Sequence, residues 1–234
     1  MENLNLGRHI SGQFNTDLEN VRNKVLQMGG LVEKQLADAL NAIVKGDVEL
    51  ARQVVSTDRQ VDALDVNIDE DVAQIIAKRQ PAASDLRLMV SVTKIIVDLE
   101  RIGDAAKKLA RMIVKGDASQ QQLLVRLEGM GRHVSQMLHD VLDAFARLDI
   151  ETAVAVHRED AKVDLEHQGL FREMTTYMME DPRSIPRVLE VISAVRSLER
   201  IGDRCQNIAE YIVYMVKGKI VRHISGEELE ALVR

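Results

Sequence analysis

Residues 88–113 read LMVSVTKIIVDLERIGDAAKKLARMI, and Leu88, Val92, Ile95, Leu99, Ile102, Ala106, Leu109 and Ile113 in this stretch step by alternating fours and threes. A step averaging three and a half residues keeps every one of these side chains on one flank of an α-helix, the seam of a bundle. Leu50, Val54, Thr57, Val61, Leu64 and Ile68 step in the same way. Only 3% of residues are aromatic and three are proline. Strands lean on aromatic and β-branched residues, so this composition also favours helix. The chain is expected to be all-α.

Working outward from that helix, Leu99-Glu100-Arg101-Ile102-Gly103-Asp104 returns unchanged as Leu198-Glu199-Arg200-Ile201-Gly202-Asp203, at an offset of 99. Upstream, Met28-Gly29 and Gln35 to Leu40 align with Met130-Gly131 and Met137 to Leu142 at an offset of 102, which also carries Asp47, Asp58 and Asp62 onto Asp149, Asp160 and Asp164. The change of three falls around Pro81 and around Pro182 and Pro186, where a helix must break. The chain is a tandem duplication.

Each copy reads as three helices. In the first copy, a capping box Thr16-x-x-Glu19 is expected to open a helix that ends at Lys45-Gly46. Asp47 caps a second helix running to about Arg79, and Ser84 or Asp85 opens a third that ends near Lys115. The second copy is expected to have helices over about 120–147, 149–180 and 185–217. Long helices joined by short turns pack antiparallel, which predicts two tandem three-helix bundles, 14–117 and 118–218, and a polar C-terminal tail, 219–234.

The formal net charge of −6 argues against a nucleic-acid partner, which needs a basic surface. Cys205 is the sole cysteine, so no intrachain disulfide can form and a reducing compartment is expected. The stretch MENLNLGRHISGQF has no basic-then-apolar leader pattern, and no run approaches the ~18 apolar residues of a membrane span. A cytoplasmic location, with membrane contact only through partners, is the expectation.

The charged residues carry the functional signal. Asp58/Asp62, Glu100/Asp104, Asp160/Asp164 and Glu199/Asp203 are acidic pairs four residues apart, each on one helical face. At 100° per residue, Glu100 and Asp104 lie ~100° and ~140° from Leu99, and Asp62 and Asp58 lie ~100° and ~60° from Val61. Both pairs flank the core on the same rotational side, so antiparallel neighbours present them on one face. Their heights agree too: Asp62 and Glu100 lie ~25 and ~22 Å from the turn between their helices. Each bundle should therefore gather four carboxylates. Every such pair costs roughly 0.2–0.5 kcal/mol in repulsion. A hard divalent or trivalent cation with oxygen ligands (Mg, Mn, Ca or Fe) would offset it. The plainer alternative is a solvated face with ion pairs to Arg59, Arg101, Lys162, Arg200 and Arg204.

Other residues are weaker candidates. Gly103 and Gly202 sit mid-helix, at a cost of ~1 kcal/mol against alanine, either for close packing or to leave room for a ligand. His157 and His167 lie three residues outside Asp160 and Asp164 as candidate auxiliary ligands; their counterparts are Val55 and Asp65, so a ligand role shared by both repeats fails for His157. Cys205 and the methionines suit core filling. The dipeptide His139-Asp140 matches Ala37-Asp38 in the other copy and is no repeated motif.

Two copies of Glu-Arg-Ile-Gly-Asp, each preceded by an Asp-x-x-x-Asp helix, resemble the paired acidic motifs of the PhoU family. His9-Ile10-Ser11-Gly12-Gln13-Phe14 and Met28-Gly29-Gly30 are similar to that family's opening. The resemblance covers about residues 9–217. It implies two three-helix bundles, frequently dimeric, with multinuclear metal sites on the acidic motifs. Asp58, Asp62, Glu100, Asp104, Asp160, Asp164, Glu199 and Asp203 match those motifs and inherit the metal role, with Mg, Mn, Fe or Zn as candidate ions. It also implies a regulator that represses the phosphate regulon by coupling the Pst transporter ATPase to the PhoR sensor histidine kinase.

Two other classes of function compete. A di-iron carboxylate oxidase would use Glu-x-x-His, and no Glu in the chain has His three residues on. A metal-dependent phosphohydrolase would need a histidine constellation and an acid–base pair that the sequence does not offer. A metal-free scaffold leaves the register of the four acidic pairs without a cause. No glycine-rich phosphate loop is present, so the expectation is an adaptor that is not an enzyme and senses phosphate indirectly.

Overall fold

The computed structural model describes residues 12–81, 83–116, 118–222, 224 and 228–229. Among the described residues the α-helices follow in the order α1 Gly12–Lys45, α2 Val48–Arg79, α3 Ala83–Lys115, α4 Ala118–Leu124, α5 Glu128–Arg147, α6 Ile150–Glu180 and α7 Ile185–Lys217. All eight seam residues of α3 are buried, between 0% and 6% exposed, as the period requires. His9 to Ser11, part of the resemblance, lie outside the described residues.

The duplication is visible in the backbone. Gly46 and Leu148, equivalent positions, both take the left-handed conformation that ends a helix. The next amide closes the turn in each copy, Asp47 N donating to Ala42 O at 3.0 Å and Asp149 N to Ala144 O at 2.9 Å. Asp47 and Asp149 then cap α2 and α6 through Oδ1, which accepts from the amide of Leu50 in one copy and of Glu151 and Thr152 in the other. Two expectations change. α1 already runs from Gly12, so Thr16 lies inside the helix and opens nothing. The helix expected over 120–147 is divided by a 3₁₀ turn, Val125–Leu127. That turn abuts Gly129 and Gly131, whose weak helix propensity lets the winding tighten.

The two three-helix bundles are fused into one body. α1, α3, α7 and α5 form a ring of packed neighbours; α2 lies over α1 and α3, and α6 over α5 and α7. The centre has an approximate two-fold relation: an added Cβ at Gly29 would run into Leu142, and one at Gly131 into Leu40, each leucine being the other's repeat equivalent. The tail is not uniformly solvated, since Val221 and Leu229 are each 1% exposed. Residues 223, 225–227 and 230–234 of it lie outside the described residues. Met28, Met89, Met130, Met137, Met174 and Met215 are buried, as is Cys205, whose thiol is pushed far up by burial.

Candidate functional site

The acidic pairs fall where α2 meets α3 and where α6 meets α7. Asp58 and Asp160 are the innermost, 4% and 7% exposed. Glu100, Asp104, Glu199 and Asp203 are half-buried, and Asp62 and Asp164 stand exposed. This graded burial is the same in both copies because the angular offsets from the seam are the same.

In the second copy the four carboxylates feel one another. Burial pushes Asp160 up to about 6, helped by repulsion from Asp203, Asp164 and Glu199. Glu199 and Asp203 are raised by burial and then by their acidic neighbours. In the first copy Glu100 is raised by burial and by Asp104. Like charges on a half-dry face thus disfavour their own ionisation. Among the described residues no three His, Cys, Asp or Glu side chains form a ready-made coordination shell. The carboxylates share a field, and an ion would have to draw them in by side-chain rotation.

The sequence reading missed two members of these faces. Asp65, three residues past Asp62, is raised by burial and by Asp69 and Asp62, and in turn acts on Glu100. Its equivalent His167 acts on Glu199. Asp65 Oδ1 and His167 Nε2 are both buried without a hydrogen-bond partner. The spacing 58, 62, 65 repeats the four-three step of the seam and marks this face. The second omission is Lys107, whose ammonium pairs with Asp58 and lies 3.1 Å from Asp104 Oδ1. The basic residues expected to neutralise the faces do so only in part. Arg101 reaches Glu100 at 3.4 Å, but Lys162 pairs with Glu159, and Arg204 donates to Asp98 at 3.1 Å.

Gly103 and Gly202 mark close helix approach beside these faces. A Cβ at Gly202 would sit 2.9 Å from Asp160 Oδ1 and 3.2 Å from Val163 Cγ1; at Gly103 it would sit 3.1 Å from Gln35 Oε1. His157 lies 3.7 Å from Glu210 at the edge of the second face. His139 and Asp140 take part in surface pairs, His139 with Glu33 at 2.8 Å and Asp140 with Gln136 at 2.8 Å.

An oxygen-rich donor set fits a divalent cation. The orphaned Asp65 Oδ1 and His167 Nε2, together with the disfavoured ionisation of Asp160, are conditions that such an ion would relieve. Asp58, Asp62, Glu100 and Asp104 would hold it in one copy, and Asp160, Asp164, Glu199 and Asp203 in the other.

Comparison with known proteins agrees with this architecture. The PhoU domain matches twice, over residues 25–113 and 127–212. The phosphate-specific transport system accessory protein PhoU of Serratia marcescens is 57% identical over all of this chain and 96% of its own. That of Escherichia coli K12 is 55% identical over all of this chain and 97% of its own. The crystal structure of PhoU from Pseudomonas aeruginosa superposes with a TM-score of 0.83 at 49% identity, over 88% of this chain and 100% of that one. The phosphate transport system regulatory protein PhoU of Streptococcus pneumoniae gives 0.82 at 29% identity, over 89% and 99%. With two helical repeats, each bearing its acidic face, the chain belongs to the PhoU family.

Proposed function

We propose that this chain is an accessory regulator of a phosphate-specific transport system, and that it represses the phosphate regulon by coupling the Pst transporter ATPase to a PhoR-type sensor histidine kinase. The observation that carries the reading is the 57% identity, across the whole chain, to a protein named for that accessory role. The acidic faces bind divalent or trivalent ions (Mg, Mn, Fe or Zn) that brace α2 on α3 and α6 on α7 and so fix the surfaces offered to partners. No helix among the described residues is long and apolar enough to cross a membrane, which suits a cytoplasmic homodimer that meets the membrane through the transporter. The protein performs no catalysis in this reading.

The regulatory test uses a host lacking its own homologue. Expression of the chain in phosphate-rich medium is expected to silence a phosphate-responsive reporter, and the protein should co-purify with both the transporter ATPase and the kinase. A reporter left fully active would overturn the proposal. The metal test is elemental analysis of the purified chain beside a variant with Glu100, Asp104, Glu199 and Asp203 changed to Ala. Stoichiometric metal lost in the variant is expected; equal metal content in both would reject the carboxylates as ligands. Tight binding of free inorganic phosphate to the pure protein would overturn indirect sensing.

A further inference from the structure

The two acidic faces are equivalent in their four paired carboxylates and unequal in what surrounds them, beginning with Asp65 in the first where the second has His167. Asp58 has two partners: Gln35 Nε2 donates to its Oδ1 at 3.1 Å, and the Lys107 ammonium pairs with its Oδ2. Lys107 also spans to Asp104 Oδ1, so one amino group links the carboxylates of α2 and α3. In the second copy both partners are replaced. The equivalent of Gln35 is Met137, which has no hydrogen to donate, and the equivalent of Lys107 is Gln206, whose amide donates instead to the His157 carbonyl at 3.4 Å.

Asp160 is left correspondingly bare. It is 7% exposed and has no hydrogen bond or ion pair to a described residue, and only the charge of His157 favours its ionisation against Asp203, Asp164 and Glu199. Its Oδ1 points across the helix pair to Gly202, where an added Cβ would sit 2.9 Å away, between the positions of Glu199 and Asp203 on α7. A buried carboxylate aimed among three others, without a donor of its own, is a site built for a cation from outside.

We propose that the two faces differ in strength as cation sites: Lys107 competes as a tethered cation on Asp58 and Asp104, so the first repeat holds its ion weakly, and the tightly held ion is that of the second repeat at Asp160, Asp164, Glu199 and Asp203. The inference rests on the reading of the acidic faces as metal sites and adds which face holds its ion tightly and why. Lys107 is the residue that sets the difference. Its compact charge occupies the ground between α2 and α3 on which a divalent ion would compete, whereas Gln206 carries no charge.

The test is a calorimetric Mn²⁺ titration of the chelator-stripped full-length chain and four variants, with circular dichroism to confirm folding. The tight class of sites should survive Asp104→Asn and vanish in Asp203→Asn. Gln206→Lys, which gives the second face the first face's cation, should weaken that class at least ten-fold, about 1.4 kcal/mol. It should also raise the melting temperature of the metal-free protein, because the ammonium it brings to Asp160 outweighs the long Gln206 to His157 carbonyl hydrogen bond it replaces. Lys107→Gln should add a second tight class. Because that change strips a buried carboxylate and can cost folding, the Gln206→Lys and Asp203→Asn results decide by themselves. Two equal tight classes in the unmodified chain, or a tight class lost in Asp104→Asn and kept in Asp203→Asn, would overturn the inequality and leave the metal reading standing. No Mn²⁺ binding to the unmodified chain would overturn the metal reading, and the inequality with it.

Discussion

Asp160 shows what one carboxylate costs when the fold buries it without a donor. Its folded pKa of about 6 lies above the ordinary 3.8, so the native state holds the proton more tightly than the unfolded chain does. The stabilisation from protonation is complete below about pH 4 and is lost as the pH rises through 6. In the metal-free protein, Asp160→Asn should therefore raise stability at pH 7 by about 1–2 kcal/mol, after allowance for solvent screening on the open side of the face. The gain should shrink to nothing by pH 4. Urea unfolding of both forms at pH 4, 5, 6 and 7 measures this, and a difference that stayed constant with pH would contradict it. The eight carboxylates could be placed in sequence because their angle from the seam is fixed by helix geometry. Lys107 could not, because a lysine on a polar face looks solvated until the opposite helix brings Asp58 to its height.

At the scale of elements, the crossing of α1 and α5 turns on small residues. Gly29 is buried against Leu142, whereas Gly30 is exposed and an added Cβ there would meet nothing within 4 Å. Alanine improves helix propensity by ~1 kcal/mol at both positions, but only Gly30 can take the methyl without moving a neighbour. Gly30→Ala should raise the melting temperature, by an amount corresponding to about 0.5–1 kcal/mol. Gly29→Ala should gain nothing or lose stability as Leu142 is displaced. A gain of equal size at both sites, read from thermal unfolding, would mean that the helices are free to separate. The heptad step revealed the inner seam of α3, but not that α3 is buried on further sides. Met89, Ile96 and Asp98 are also buried, because α3 packs on α1, α2 and α7 together. A period reports one face; it does not report how many neighbours a helix will have.

Over the whole molecule, the contact of α3 with α7 is what makes two repeats one body, and its polar centre belongs to neither repeat's pattern. Asp98, with its side chain 5% exposed, accepts from Arg204 Nη1 at 3.1 Å, and its carboxyl is raised by burial despite Arg204, Asn207 and Tyr211. The equivalents in the other copy are Ser197 and Ala105, so the pair was acquired by one side of the two-fold relation and could not be found by aligning the repeats. Removing the guanidinium strands a buried carboxylate, and such a loss is worth about 2–3 kcal/mol where Asn207 and Tyr211 still donate. Arg204→Ala should therefore destabilise strongly, and adding Asp98→Ser, which restores the residues of the opposite repeat, should recover most of the loss. Because α3 and α7 share one core, each protein should unfold in urea as a single transition, with the double variant lying between Arg204→Ala and the unmodified chain. A double variant less stable than Arg204→Ala alone would mean that Asp98 is held by its other donors, and a two-step curve would mean that each repeat stands on its own bundle.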